Sequence, residues 1–193
     1  MSVAPAGDAA LPLLRGATGV FLAGGDQVRL MRALRGTPLL AELRRRHADG
    51  VVVGGTSAGA AVMGALMITG DDAGASGAPW STIRAGRVVV VDGLSLLAGA
   101  VVDQHFTARR RHNRLLSVVL EHPTLVGVGI DEETAVVVGA DGRLGVVGDG
   151  VVSIYDARRA RDVAPDSDGD LAGYGVRLHL LTAGRWFDPA TPD

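Results

Sequence analysis

The chain of 193 residues contains no cysteine. That excludes disulfides, thiolate metal sites and a cysteine nucleophile, although it does not fix the compartment. Net charge is also lacking: the formal value is only −2, so nothing global points to nucleic acid or to a membrane surface. Long apolar runs are missing too. The longest, Ala58 to Ile68, falls well short of the roughly 20 residues that a membrane-crossing helix requires. The first residues, MSVAPAGDAALPLLRGATGV, hold no basic segment followed by an apolar core, which argues against a signal peptide. The expectation is a soluble cytoplasmic protein. No metal-ligand spacing such as H-E-x-x-H occurs, and no cofactor is implied.

What is present is apolar and glycine-rich. Hydrophobic residues make up 47% of the chain, and its 28 glycines are scattered among apolar runs rather than set in a repeat. The length suits one domain over 1–193, and the texture suits a compact α/β protein. GVFLAGG (19–25) and VVVGG (51–55) read as buried strands. Residues 27–36 and 37–50 read as helices, the second with Thr37 as N-cap and Pro38 in its first turn. Residues 57–68 read as a tightly packed helix, 70–81 as a loop, 87–93 and 99–106 as strands, and 108–122 as a helix. Continuous Val-rich strands joined through helices imply a largely parallel sheet with helices on both faces. After residue 131 the Asp-Gly turns point to a hairpin or meander over 134–156, followed by a polar loop over 158–173 and a last strand over 174–184.

Gly55-Thr56-Ser57-Ala58-Gly59 fits G-x-S-x-G between an apolar strand and a helix. Small neighbours let the backbone bend sharply and expose the Ser57 hydroxyl at a helix start, where N–H groups stabilise developing negative charge. A serine needs a base. Of the five histidines, His47 and His112 read as exposed helix residues, His122 precedes a proline and His179 lies late in a β run. His105 follows GAVVDQ at a strand end, where active sites of open α/β sheets gather. The orienting carboxylate has several candidates: Asp103, Asp131, Glu132, Glu133 and Asp71 or Asp72. Spacing does not choose between them. The second glycine turn, Gly24-Gly25, can complete an oxyanion hole with the N–H of Ala58. The arginines of ARRRHNR (108–114) are either a solvated helix face or a carboxylate-binding set, with Arg110 and Arg114 four apart on one face.

GGDQ, GTSAGA, DQHF with an arginine-rich segment behind it, GIDEETA and GVRLHLLTAG occur in this order from about Ala17 to Phe187. In this the chain resembles the cyanophycinases, serine peptidases grouped with the aspartyl dipeptidases (dipeptidase E). The resemblance implies a fold like that of class I glutamine amidotransferases, although amidotransferase chemistry itself needs the missing cysteine. It also implies an exopeptidase that releases β-Asp-Arg dipeptides from cyanophycin, a poly-aspartate with arginine on each side chain. Carried over motif by motif, it makes Ser57 the nucleophile, His105 the base and Glu132 the orienting acid. Gln27, Asp103, Gln104, Arg109, Arg111 and Arg114 then match substrate-site positions, with Glu133 or Asp103 receiving the substrate guanidinium. The family normally has further strand-and-helix units ahead of GGDQ, and the residues before Gly19 do not read as a strand. A homodimer is the expected assembly. An α-aspartyl or isoaspartyl dipeptidase on the same scaffold and a non-catalytic homologue are the alternative functions.

Overall fold

A computed structural model describes residues 10–72 and 80–191. Along the chain run α1 (Leu11–Gly16), β1 (Gly19–Leu22), α2 (Gln27–Leu34), α3 (Pro38–Ala48), β2 (Val52–Gly55), α4 (Ala58–Ala61), β3 (Gly64–Asp72), β4 (Val88–Asp92), β5 (Leu97–Gln104) and α5 (His112–Glu121). Then follow β6 (Val126–Ile130), β7 (Thr134–Val138), β8 (Leu144–Gly148), β9 (Val152–Asp156), β10 (Arg161–Pro165), β11 (Leu171–Tyr174), β12 (Arg177–Leu181) and β13 (Trp186–Phe187).

A six-stranded sheet has the order β12-β9-β6-β5-β3-β4, and β1 pairs with β2 in a separate parallel ribbon. The expected largely parallel sheet is corrected to a mixed one. β1–β2, β3–β5 and β5–β6 are parallel, whereas β3–β4, β6–β9 and β9–β12 are antiparallel. The reason lies in the connections: β4 returns directly after β3, and β9 and β12 come back antiparallel after the excursions through β7–β8 and β10–β11, instead of through further strand–helix–strand units. The faces of this sheet are covered by helices and, over part of one face, by a second sheet. Strand alternation sends Val101 and Tyr155 toward α5, into a core with Phe106, Leu115, Val118 and Val119. It sends Val102, Val126, Val128 and Ile154 to the other face, into a core with Leu144 and Val146 of β8 and Phe187 of β13. A three-stranded sheet of order β13-β8-β7 therefore covers much of that face. A third core joins α1, α2 and α3 to Val62, Met67 and Leu94.

Two glycines set how closely α5 approaches. A Cβ on Gly127 would lie 2.6 Å from a Val119 methyl, and one on Gly129 would lie 2.6 Å from the Phe106 ring. Their absence opens the slot that takes Phe106, which is fully buried.

Several element boundaries depart from expectation. The helix expected over 57–68 is the single turn α4, and the chain then becomes β3. A continuous apolar run does not distinguish helix from buried strand by periodicity, and pairing of Leu66 with Val101 and Asp92 decides for strand here. The expected loop over 70–81 begins inside β3 and otherwise lies mostly outside the described residues. The expected polar loop over 158–173 holds the β10–β11 hairpin. The arginine-rich segment is not helical until His112. Residues ahead of Gly19 contribute α1, whose Leu14 is buried. The helices over 27–34 and 38–48 form with their caps: Asp26 accepts from Arg29 N–H and Thr37 from Leu40 N–H.

Candidate active site

Ser57 lies two residues past the end of β2, with φ 50° and ψ −114°, a conformation that residues other than glycine rarely adopt. The flanking glycines allow it. A Cβ on Gly55 would lie 2.5 Å from the Gly59 carbonyl oxygen, and one on Gly59 would overlap the Leu22 carbonyl. Thr56 N–H donates to that same Leu22 oxygen at 3.0 Å, which ties the bend to the end of β1. The bend is therefore held by backbone contact on both sides of the serine.

His105 follows the end of β5 and also has a positive φ, 51°. Its Nε2 lies 3.1 Å from Ser57 Oγ, and its Nδ1 lies 2.9 Å from Glu132 Oε1. The structure thus joins Ser57, His105 and Glu132 in one hydrogen-bonded chain. With the Nδ1–H tautomer, His105 donates to the Glu132 carboxylate and accepts from the Ser57 hydroxyl. The His105 side chain is 28% exposed and that of Glu132 is 58% exposed, so the relay opens to solvent at its carboxylate end.

The three consecutive acids separate into three positions. Asp131 turns away from the imidazole: one oxygen accepts from Thr107 N–H at 2.9 Å and the other from Val151 N–H at 3.3 Å. Glu132 meets His105. Glu133 is exposed at φ 55°, and among the described residues its carboxylate has no hydrogen-bond or ion-pair partner.

Gly24 packs against the serine, its Cβ position being 3.4 Å from Ser57 Cβ. Gly25 has φ 136°, which suits glycine. Ala58 opens α4, and the first N–H groups of a helix have no acceptor within it. The glycine turn and the start of α4 thus meet beside the Ser57 hydroxyl.

The remaining sequence-selected side chains are more committed to the protein itself than expected. Asp103 is 1% exposed. It is held by Arg114, whose Nε donates to Oδ2 at 2.9 Å and whose Nη2 donates to Oδ1, and by Arg111 Nη1 at 3.2 Å. As a receiver for a substrate guanidinium Asp103 is corrected to the centre of a buried ion-pair network, because alternation along β5 points it toward α5. Arg114 is buried with it and stacks over Trp80 at 5.3 Å. Arg111 also donates to the side-chain and backbone oxygens of Gln104. Burial pulls the Arg111 guanidinium below its ordinary value, with the Asp103 charge opposing the shift. Gln27 spends its amide hydrogens on β3, donating to Ile68 O at 3.2 Å and Thr69 O at 2.7 Å. Arg109 and Arg110 are exposed on a turn closed by Arg109 N–H to His105 O and Arg111 N–H to Phe106 O. Arg110 sits at φ 53°, so the expected pairing of Arg110 with Arg114 on one helical face does not occur.

Sequence reasoning missed Asp131 and Thr134 as organisers of the site. Thr134 Oγ1 donates to Glu132 O and accepts from Gly150 N–H, both at 2.9 Å. No spacing rule marks either residue, because Thr107, Gly150 and Val151, which they bind, come from the turn after β5 and from the loop between β8 and β9. Asp71 and Asp72 fall at the end of β3, where side chains lie outside the described residues. No group of three or more potential metal-ligating side chains occurs among the described residues. Among the same residues no helix is long and apolar enough to cross a membrane.

A strand–elbow serine within reach of a strand-end histidine and a loop carboxylate is the arrangement of a serine hydrolase site. The model of peptidase family S51 matches residues 4–144, and the chain belongs to that family. Cyanophycinase of Synechococcus elongatus is 42% identical over 181 residues, covering 90% of this chain and 53% of that protein. Cyanophycinase of Trichormus variabilis is 42% identical over 178 residues, covering 90% of this chain and 58% of that one. The chain spans little more than half the length of these relatives. A crystal structure of a peptidase from an acI-B1 actinobacterium superposes with a TM-score of 0.64 at 23% identity, over 94% of this chain and 64% of that one. At that identity the likeness speaks for the fold alone.

Proposed function

We propose that this chain is a serine-type exopeptidase that hydrolyses cyanophycin to β-Asp-Arg dipeptides through an acyl-enzyme on Ser57. The observation that carries the reading is the continuous hydrogen-bonded chain from Ser57 Oγ through His105 to Glu132, at 3.1 and 2.9 Å. The named cyanophycinases at 42% identity supply the substrate class.

The chemistry follows from the geometry. As Ser57 Oγ attacks an aspartyl main-chain carbonyl carbon, His105 Nε2 takes the hydroxyl proton. Glu132 accepts from Nδ1–H, holds the tautomer and stabilises the imidazolium. The carbonyl oxygen becomes an oxyanion, stabilised by N–H groups at Ala58 and in the Gly24–Gly25 turn. When the carbon–nitrogen bond breaks, His105 returns the proton to the departing amine. Water then adds to the acyl-enzyme, His105 takes its proton, and Ser57 leaves with a proton restored.

Recognition divides by exposure. Arg109 is exposed four residues after His105 and is the arginine suited to a substrate carboxylate. Glu133 is the unengaged acid beside Glu132 and is suited to the substrate guanidinium. Gln27, Gln104, Arg111 and Arg114 act as support, Gln27 through β3, Arg111 and Arg114 through Asp103, and Gln104 through Arg111.

Incubating the chain with purified cyanophycin, with β-aspartyl dipeptides in parallel, tests the reading. Release of β-Asp-Arg from the polymer is expected. Cleavage of dipeptides alone would assign a dipeptidase instead. Glu133→Gln is expected to raise KM for the polymer at least several-fold with little change in kcat; an unchanged KM would remove Glu133 from recognition.

A further inference from the structure

Glu132 is a long, half-exposed side chain, and burial does little to fix its rotamer. Its alignment with His105 must therefore come from the backbones that carry the two residues. β5 and β6 pair as far as Gln104 and Ile130, and beyond that point two further bonds tie the segments that carry His105 and Glu132. Phe106 N–H donates to Ile130 O at 3.2 Å, and Thr107 N–H donates to Asp131 Oδ1 at 2.9 Å. The other Asp131 oxygen accepts from Val151 N–H, while Asp131 N–H donates to Val151 O at 3.2 Å. One carboxylate thus spans the turn behind His105, the start of the Glu132 turn and the entry to β9.

We propose that Asp131 is a positioning residue of the catalytic relay. Its carboxylate fastens the His105 turn to the Glu132 turn, so that the imidazole meets both Glu132 and Ser57. This rests on the reading of Ser57, His105 and Glu132 given under the proposed function. The role needs an acceptor at both oxygens. Asparagine has the same shape but presents an NH2 donor to one of the two backbone N–H groups, and turning the amide over only changes which one. Asp131→Asn therefore opens one side of the clamp while leaving volume and packing unchanged.

The test uses the whole chain and three readouts. Asp131→Asn is expected to lower kcat for β-Asp-Arg release on the order of 10²-fold, the scale of a misplacement of about 1 Å, with KM little changed. The far-downfield proton resonance of the imidazole Nδ1–H is expected to broaden or move. The thermal midpoint is expected to stay close to that of the unaltered chain. If kcat and the imidazole resonance both match the unaltered chain, Asp131 has no positioning role. Should Asp131→Asn fail to fold, Asp131→Ala, which removes both acceptors and adds no donor, decides by the same kcat and resonance. Absence of Ser57-dependent release from the unaltered chain would count against the proposed function itself. The resonance would still report whether Asp131 holds the imidazole against Glu132.

Discussion

At the scale of single residues, the backbone of Ser57 is as informative as its hydroxyl. A non-glycine residue at φ 50° carries strain of about 1–3 kcal/mol. Ser57→Gly relieves it, partly offset by the greater freedom of glycine in the unfolded chain. The expected outcome is a gain of about 1 kcal/mol in urea unfolding together with loss of turnover. Destabilisation by Ser57→Gly would mean that the bend is not strained. Glu132→Gln is expected to lower kcat on the order of 10⁴-fold, because the amide favours the wrong imidazole tautomer; a loss below ten-fold would place the orienting acid elsewhere. Ser57 was legible from its own five-residue pattern and His105 from its strand-end position. Glu132 was not separable from Asp131 and Glu133 by spacing, because which of three successive acids faces an imidazole depends on the path of a turn. The motif resemblance selected it, and its Oε1 lies 2.9 Å from His105 Nδ1.

At the scale of elements, two features hold the site together and each gives a measurement. The first is the contact between the serine bend and β1. Gly59→Ala places a methyl group against the Leu22 carbonyl, with backbone on both sides. Severe destabilisation or failure to fold is expected in urea or thermal unfolding, whereas a near-normal midpoint would show that α4 can move away. The second is Asp103, which pins the arginine-rich segment to β5. Asp103→Ala leaves Arg114 buried beside Arg111 without the charge that balances them. The expected cost is about 3–5 kcal/mol, measured by urea unfolding. A loss under 1 kcal/mol would mean that water reaches these guanidinium groups. The sequence marked this segment as charged and adjacent to the base. It could not reveal that the segment wraps inward, because that path is set by Phe106 entering the space above Gly129. The capped helices α2 and α3 were legible because their signals are local. The turn from α4 into β3 was not, because a distant strand decides it.

At the scale of the whole molecule, the sheet differs from the sequence expectation in a physically instructive way. The parallel pair β1–β2 joins two runs that the sequence marked as strands, whereas β3, parallel to β5, falls in the run expected as a helix. The antiparallel flanks pair strands across intervening hairpins, a pairing that no single-strand pattern specifies. One of these flanks carries a pH response. Arg158 hydrogen-bonds Asp156 at the end of β9 and holds its carboxyl below the ordinary value of 3.8, although burial opposes this. A lowered folded-state value means that the stabilisation is fully present above the unfolded value and disappears as pH falls through the folded one. The stability gap between the unaltered chain and Asp156→Asn is expected to be constant near neutrality and to close below about pH 4; a gap unchanged down to pH 2 would contradict this.

The most direct test of the central claim is intact-mass analysis after treatment with a fluorophosphonate, followed by peptide mapping. A single adduct on Ser57, abolished in Ser57→Ala and slowed in His105→Ala, is the expected result. No adduct on folded protein, or an adduct on a different serine, would contradict the assignment of Ser57 as the nucleophile.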